Sequence, residues 1–127
     1  MIKVYRIILP VNNINNAAEF YSSLLEQQGE RVSPGRHYFK CGDVILACYD
    51  SKADGDKIEI PPNPEHIYFS VDDLDRIFSK AQKAGFNELD ENIEIRPWGE
   101  RSFYGKDPFG NPLCFVDSKT IFTSNIK

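Results

Sequence analysis

A chain of 127 residues and 14.5 kDa has room for one sizeable core or two small modules packed together, which excludes large multidomain machinery. With 41% apolar and 27% charged residues it has the composition of an ordinary folded domain and not of a disordered or fibrous chain. A net charge of -4, a pI near 5.1 and the lack of any apolar run approaching the roughly 18 residues that span a bilayer argue against nucleic acid or membrane as a partner.

Residues 6–11, Arg6-Ile7-Ile8-Leu9-Pro10-Val11, read as a buried strand. Asn12 and Asn13 come next as candidate caps, and Ile14, Ala17, Ala18, Tyr21, Leu24 and Leu25 recur at the spacing of a helix that ends near Gly29. Capping alone explains the Asn-rich stretch 12–16. Three short strands over 30–33, 37–40 and 44–49 come after the helix, separated by Pro34-Gly35 and Gly42-Asp43 as in a meander. The stretch 51–63, rich in Lys, Asp, Gly and Pro, reads as an exposed linker that lets the second half of the chain swing against the first. A strand over 66–71 then leads to Asp72 and Asp73 as caps, and Leu74, Ile77, Phe78, Ala81 and Ala84 mark a helix ending near Gly85. Strands over 93–96, 102–106 and 113–116 complete the pattern less clearly, with turns at Trp98-Gly99 and at Asp107-Pro108-Phe109-Gly110. The latter has the Asp, Pro and Gly positions of a type I turn. The acidic run 88–94 reads as a solvated loop, and residues from 118 onward as a polar tail.

The order strand, helix, three strands therefore occurs twice, with Val71 sixty positions after Val11. The expected fold class is α+β, one domain over 1–118 built of two βαβββ modules at about 1–50 and about 64–118, with 119–127 as a tail. Neither module buries a sheet face alone at this size, so the two pack together or across a homodimer and leave a concave sheet surface. Cys41, Cys48 and Cys114 are odd in number and lack CxxC spacing, which predicts reduced, mostly buried thiols. The first residues lack a small-residue cleavage site after their short apolar stretch, so a cytoplasmic protein is expected. No GxSxG elbow and no phosphate-cradling GxGxxG or GxxxxGK[ST] occurs.

Val11-Asn12-Asn13-Ile14 leading to Glu19-Phe20-Tyr21, the segment His66-Ile67-Tyr68-Phe69-Ser70-Val71-Asp72-Asp73, and Trp98-Gly99 before Asp107-Pro108-Phe109-Gly110-Asn111 together resemble the vicinal oxygen chelate superfamily. That superfamily includes glyoxalase I, ring-cleaving dioxygenases, and fosfomycin and bleomycin resistance proteins. The resemblance runs nearly the whole chain, to Asp117, and implies that the modules form a curved mixed sheet. It also implies a metal held by one residue on the first and one on the last strand of each module. Five residues before Val11 stands Arg6, a cation, and five before Val71 stands His66. Four residues after Gly42 stands Leu46, and four after Gly110 stands Cys114, where glutamates are typical of glyoxalase I. One ligand in four survives cleanly, so no metal, no cofactor and no catalytic residue is expected.

The remaining reading is binding of a small aromatic or anionic molecule by Arg6, Phe39, Leu46, His66, Tyr68, Trp98, Tyr104 and Cys114, similar to bleomycin resistance proteins. Arg6 would anchor the anion, and Leu46, Cys114 and Tyr68 would floor the groove with Arg6 and His66. Structural readings stand beside these. His66 suits a core histidine bonded to a carbonyl, Arg6 a pair with Glu59 or Glu100, Cys114 a small packing residue, Trp98 a rim or dimer contact, and His37 a solvent-facing position. The first alternative is a metal-dependent lyase, isomerase or ring-cleaving dioxygenase of the same fold with a site displaced to Glu65, Glu59 or Asp43. The second is an interaction module with a filled cavity.

Overall fold

The computed structural model describes residues 1–124, and the chain divides into two compact units, Met1–Asn63 and Pro64–Lys127. The first holds β1 (Arg6–Pro10), α1 (Ile14–Leu25), β2 (Glu30–Ser33), β3 (Arg36–Cys41) and β4 (Val44–Tyr49). Its four strands lie in the order β1-β4-β3-β2, with β1 parallel to β4 and the other neighbours antiparallel. Asn13 caps α1 by accepting the Asn16 N–H at 3.0 Å. Ile14, Ala17, Phe20, Tyr21 and Leu24 form its buried stripe. The helix stops at Glu26, which takes the left-handed conformation at φ 56°, and not at Gly29. Gly29 serves a close approach instead: at φ 66°, a Cβ there would lie 2.6 Å from the Tyr38 carbonyl oxygen.

Alternation along the strands decides what is core. Leu9, Phe39, Leu46 and Cys48 are buried, with the Phe39 ring 6.2 Å from Tyr21 of α1. His37 belongs to the same face and is buried too, 5.0 Å from the Phe39 ring, which corrects the expectation that it faces solvent. Its Nε2 pairs with the Gln28 carbonyl at 2.9 Å, and its Nδ1 accepts from Arg31 Nε at 3.3 Å.

The segment 51–63 is not a free tether. Asp54 accepts from Ser33 Oγ at 2.8 Å and from the Gly35 N–H at 2.6 Å, and pairs with Arg36 at 3.5 Å. Ser51 is buried and donates to the Ile58 carbonyl, while Asn63 donates to the Ile8 carbonyl at 2.9 Å. Composition marked this stretch as mobile because its polar side chains cannot form a core; the same side chains bond it back onto β1 and the β2–β3 turn.

The second unit holds β5 (Ile67–Val71), α2 (Leu74–Lys83), β6 (Glu94–Ile95), β7 (Arg101–Lys106) and β8 (Pro112–Asp117), in the order β5-β8-β7-β6 with β5 parallel to β8. Asp73 caps α2, and Phe78 of that helix meets Phe103 edge-on at 4.9 Å. Phe103, Phe115 and Phe69 stack in turn at 5.2 and 5.0 Å. Each such buried ring contributes about 1.5–3 kcal/mol relative to exposure. The turn at Asp107 is built as expected and is itself buried: Asp107 Oδ1 accepts the N–H of Phe109 at 2.9 Å and of Asn111 at 2.8 Å. Residues 118–120, expected as tail, form a short 3-10 turn capped by Asp117, while 125–127 lie outside the described residues. The fold is thus α+β, two four-stranded mixed sheets each with one helix. Among the described residues no helix is long and apolar enough to cross a membrane.

Replacing Asp54 by Ala removes the acceptor for Ser33, Gly35 and Arg36 at once. The expected result is a loss of about 1–3 kcal/mol in urea unfolding, with faster tryptic cleavage at Lys52 and Lys57.

Candidate functional site

Directly opposed residues of paired strands share a face, so the registers place each candidate side chain. In the second unit Tyr68 opposes Cys114, and Cys114 opposes Tyr104, setting these three in one row across β5, β8 and β7. Ser70, Val116 and Ser102 form the next row on the same face. His66, just before β5, meets the Tyr104 ring edge-on at 4.9 Å and lies 6.2 Å from Tyr68. His66 is exposed, which corrects its reading as a core histidine.

A cavity of about 470 Å³ opens here, lined by Tyr68, Phe69, Ser70, Trp98, Glu100, Val116 and Ile121. Trp98 and Tyr68 are more than half exposed, so their ring faces are available to a planar ligand. The indole is held in place by Nε1 donating to Glu100 at 2.8 Å.

Behind the aromatic row sits Arg96, which the sequence alone left without a role at the end of a strand. Its Nε donates to Ser102 Oγ at 3.0 Å, and its two terminal nitrogens donate to Glu94 and Asp90 at 3.1 Å each. The guanidinium lies 4.7 Å from the Tyr104 ring centroid. Asp90 also accepts the Tyr104 N–H at 2.9 Å, and Glu88 pairs with Lys106 at 2.7 Å. The acidic run is therefore not merely solvated: it brackets β7 and fixes Arg96. The signal available was the run itself, four carboxylates just before Arg96, two of which pair with it.

Burial pushes the Cys114 thiol up to about 11, an effect only partly opposed by hydrogen bonds with Ser102 and Tyr104. The Tyr104 phenol is raised well above its ordinary value, first by burial and then by its hydrogen bond with Tyr68. Both groups are protonated at neutral pH. With its thiol protonated, Cys114 presents no thiolate in this row at neutral pH.

In the first unit Arg6 opposes Ile45, so Ala47 and not Leu46 shares its face. Leu46 opposes Phe39 and Ile7 and is buried under α1. The expectation that Leu46 and Phe39 line the groove with Arg6 is corrected on this point. Counting four residues from the turn glycine fails because Gly42-Asp43 is a tighter connection than the turn over 107–110, and one residue of slip reverses the face. Among the described residues Arg6 reaches no carboxylate; it donates to the Tyr38 hydroxyl at 3.0 Å and lies over the rings of Tyr5 and Tyr38 at 5.3 and 5.7 Å.

The sequence profile of the Glyoxalase/Bleomycin resistance protein/Dioxygenase superfamily matches residues 3–115. The chain belongs to this superfamily. Among solved structures, a glyoxalase-related enzyme from Fulvimarina pelagi is similar with a TM-score of 0.77 and 16% identity, covering 98% of this chain and 94% of its own. A lactoylglutathione lyase from Agrobacterium tumefaciens has a TM-score of 0.69 and 22% identity over 92% of this chain and 94% of its own. A glyoxalase/bleomycin resistance protein from Albidiferax ferrireducens has 0.73 and 17% over 89% and 96%. At these identities the likeness establishes the fold. No curated protein matches the chain.

The superfamily's metal implies four donors, and this chain does not fit one. The first unit offers Arg6 with Ile45 and Ala47 on that face; the second offers His66 and the Cys114 thiol beside the Arg96 cation. Among the described residues no three His, Cys, Asp or Glu side chains come together as a metal site.

Arg96→Met should cost about 2 kcal/mol in urea unfolding, because Asp90 and Ser102 lose the donor they face. Iodoacetamide at pH 8 should leave Cys114 unlabelled in the native protein and label it after unfolding, read by peptide mass spectrometry.

Proposed function

We propose that this superfamily member binds a small aromatic or anionic molecule on its open sheet faces without a metal ion, and does not turn it over. The observation that carries this is the 470 Å³ groove of the second unit, where the exposed rings of Trp98 and Tyr68 stand beside Ser70 and Glu100. A groove of this volume, with apolar walls and a few placed polar groups, has the form of a small-molecule site. The poor donor set among the described residues supports binding over metal-assisted chemistry.

Trp98 is the single tryptophan, so its fluorescence reports the groove directly. In a panel of small aromatic molecules, binders should shift Trp98 emission and raise the melting temperature. Trp98→Ala should weaken them by roughly tenfold, the loss of one stacking face. Elemental analysis of the purified protein should find no stoichiometric metal, and zinc, nickel, manganese or iron(II) should leave the melting temperature unchanged. A metal-specific rise that His66→Ala abolishes would overturn this reading in favour of a metal-dependent lyase, isomerase or dioxygenase.

A further inference from the structure

The open face of the first sheet carries a second arrangement that the groove does not use. Arg6 on β1 reaches across the intervening strand β4 to the hydroxyl of Tyr38 on β3, donating from Nη1 at 3.0 Å. Arg36, two residues before Tyr38 and on the same face, approaches the same oxygen with its own Nη1 at 3.5 Å. Two guanidinium groups thus meet at one hydroxyl oxygen. Like charges are not brought to one point by their own attraction, so each must be held from elsewhere.

Arg36 is held from behind. Its guanidinium lies 4.3 Å from the Tyr49 ring centroid, and its Nε pairs with Asp54 at 3.5 Å. Tyr49 in turn donates its hydroxyl to Asp56, and Asp54 is fixed by Ser33 and Gly35. Arg6 has only the Tyr38 oxygen and two ring faces, and reaches no carboxylate among the described residues. A phenol oxygen offers two lone pairs and one proton; with both guanidinium donors directed at it, its O–H is a third donor at the same place.

We infer that Arg6, Arg36 and the Tyr38 hydroxyl form a receptor for a monoanionic carboxylate, best carried on an aromatic ring. The charge balance selects the anion. At the hydroxyl itself Arg6 and Arg36 bring two positive charges and Asp54, paired with Arg36, brings one negative charge, while Asp56 lies further out on the Tyr49 hydroxyl. The surplus at the hydroxyl is one positive charge, which suits a carboxylate and not a dianionic phosphate. The ring is selected by Tyr5, exposed beside Arg6, and by the half-buried Ile8 and Ile45 on the same face. This site rests on the proposed function only in taking the open sheet face as the binding face.

The test is an amide NMR titration of the whole protein with benzoate, benzylamine and inorganic phosphate. Benzoate should shift the amides of β1 and β3 and saturate, phosphate should bind more weakly, and benzylamine should leave those amides unmoved. Arg6→Gln and Arg36→Gln should each weaken benzoate roughly tenfold, and added salt should weaken it in the parent. Arg6 is exposed, so Arg6→Gln should keep the parent melting temperature, and a loss of binding is then not a loss of folding. Tyr38→Phe should weaken benzoate less, since it removes one donor and no charge. Unmoved β1 and β3 amides, or equal benzoate affinity in Arg6→Gln, would overturn the inference; phosphate binding more tightly than benzoate would overturn the choice of carboxylate. Benzyl alcohol followed by Trp98 emission separates the two readings. If it binds while benzoate does not, only this inference falls; if neither binds, the proposed function falls with it.

Discussion

In each unit a four-stranded sheet has one helix to cover it. One face of every strand is therefore committed to packing under a helix, and the other carries polar and aromatic side chains over a few small buried residues. Leu9, Phe39, Leu46 and Cys48 in the first unit and Phe69, Phe103, Leu113 and Phe115 in the second take the helix-facing positions. The residues between them, Arg6 and Tyr38 in one case and Tyr68 and Tyr104 in the other, stand on the opposite face, above Ala47 and Cys114, which are themselves buried. Period-two alternation is thus what turns an ordinary packing problem into two surfaces on which binding can be built.

The polar residues of those surfaces are not independent. Arg96 is shared among Asp90, Glu94, Ser102 and the Tyr104 ring, and Arg36 among Asp54, Tyr49 and Tyr38. In both units an arginine beside the open face is steadied by a carboxylate from a loop, Asp90 for Arg96 and Asp54 for Arg36. The duplicated architecture solves the placement of a cation the same way twice, with unrelated loop sequences.

Much of this was legible in the sequence. The repeat of strand, capped helix and three strands was visible in the spacing of Val11 and Val71, and β2 and β4 fall where the turn residues put them. Tyr68, Tyr104 and Cys114 were named as groove candidates from the resemblance, and the strand register is what sets them in one row. What failed, failed for two physical reasons. Leu46 was assigned by counting from a turn whose length differs between the units, and a strand tolerates no such slip. The loops at 51–63 and 88–94 were read from composition, which reports that a segment cannot make a core but says nothing of the side-chain bonds it makes to strands distant in sequence. Arg36, Tyr38 and Arg96 were missed with them, since their roles depend on those bonds.

The parallel pairing of β1 with β4, and of β5 with β8, sets the order of assembly. Each pairing joins the first strand of a unit to its last and so encloses the helix and both antiparallel hairpin strands between them. Local hairpins lose little chain entropy on forming, whereas the enclosing pair must close the whole loop and gains its hydrogen bonds only then. Closure of β1 on β4 is thus the pairing that encloses the longest loop within the first unit, and both strands lie within Met1–Asn63. On a ribosome, the first sheet has all its strands before the second has any, so each half of the duplication is confined to its own length of chain and its strands meet their own partners first.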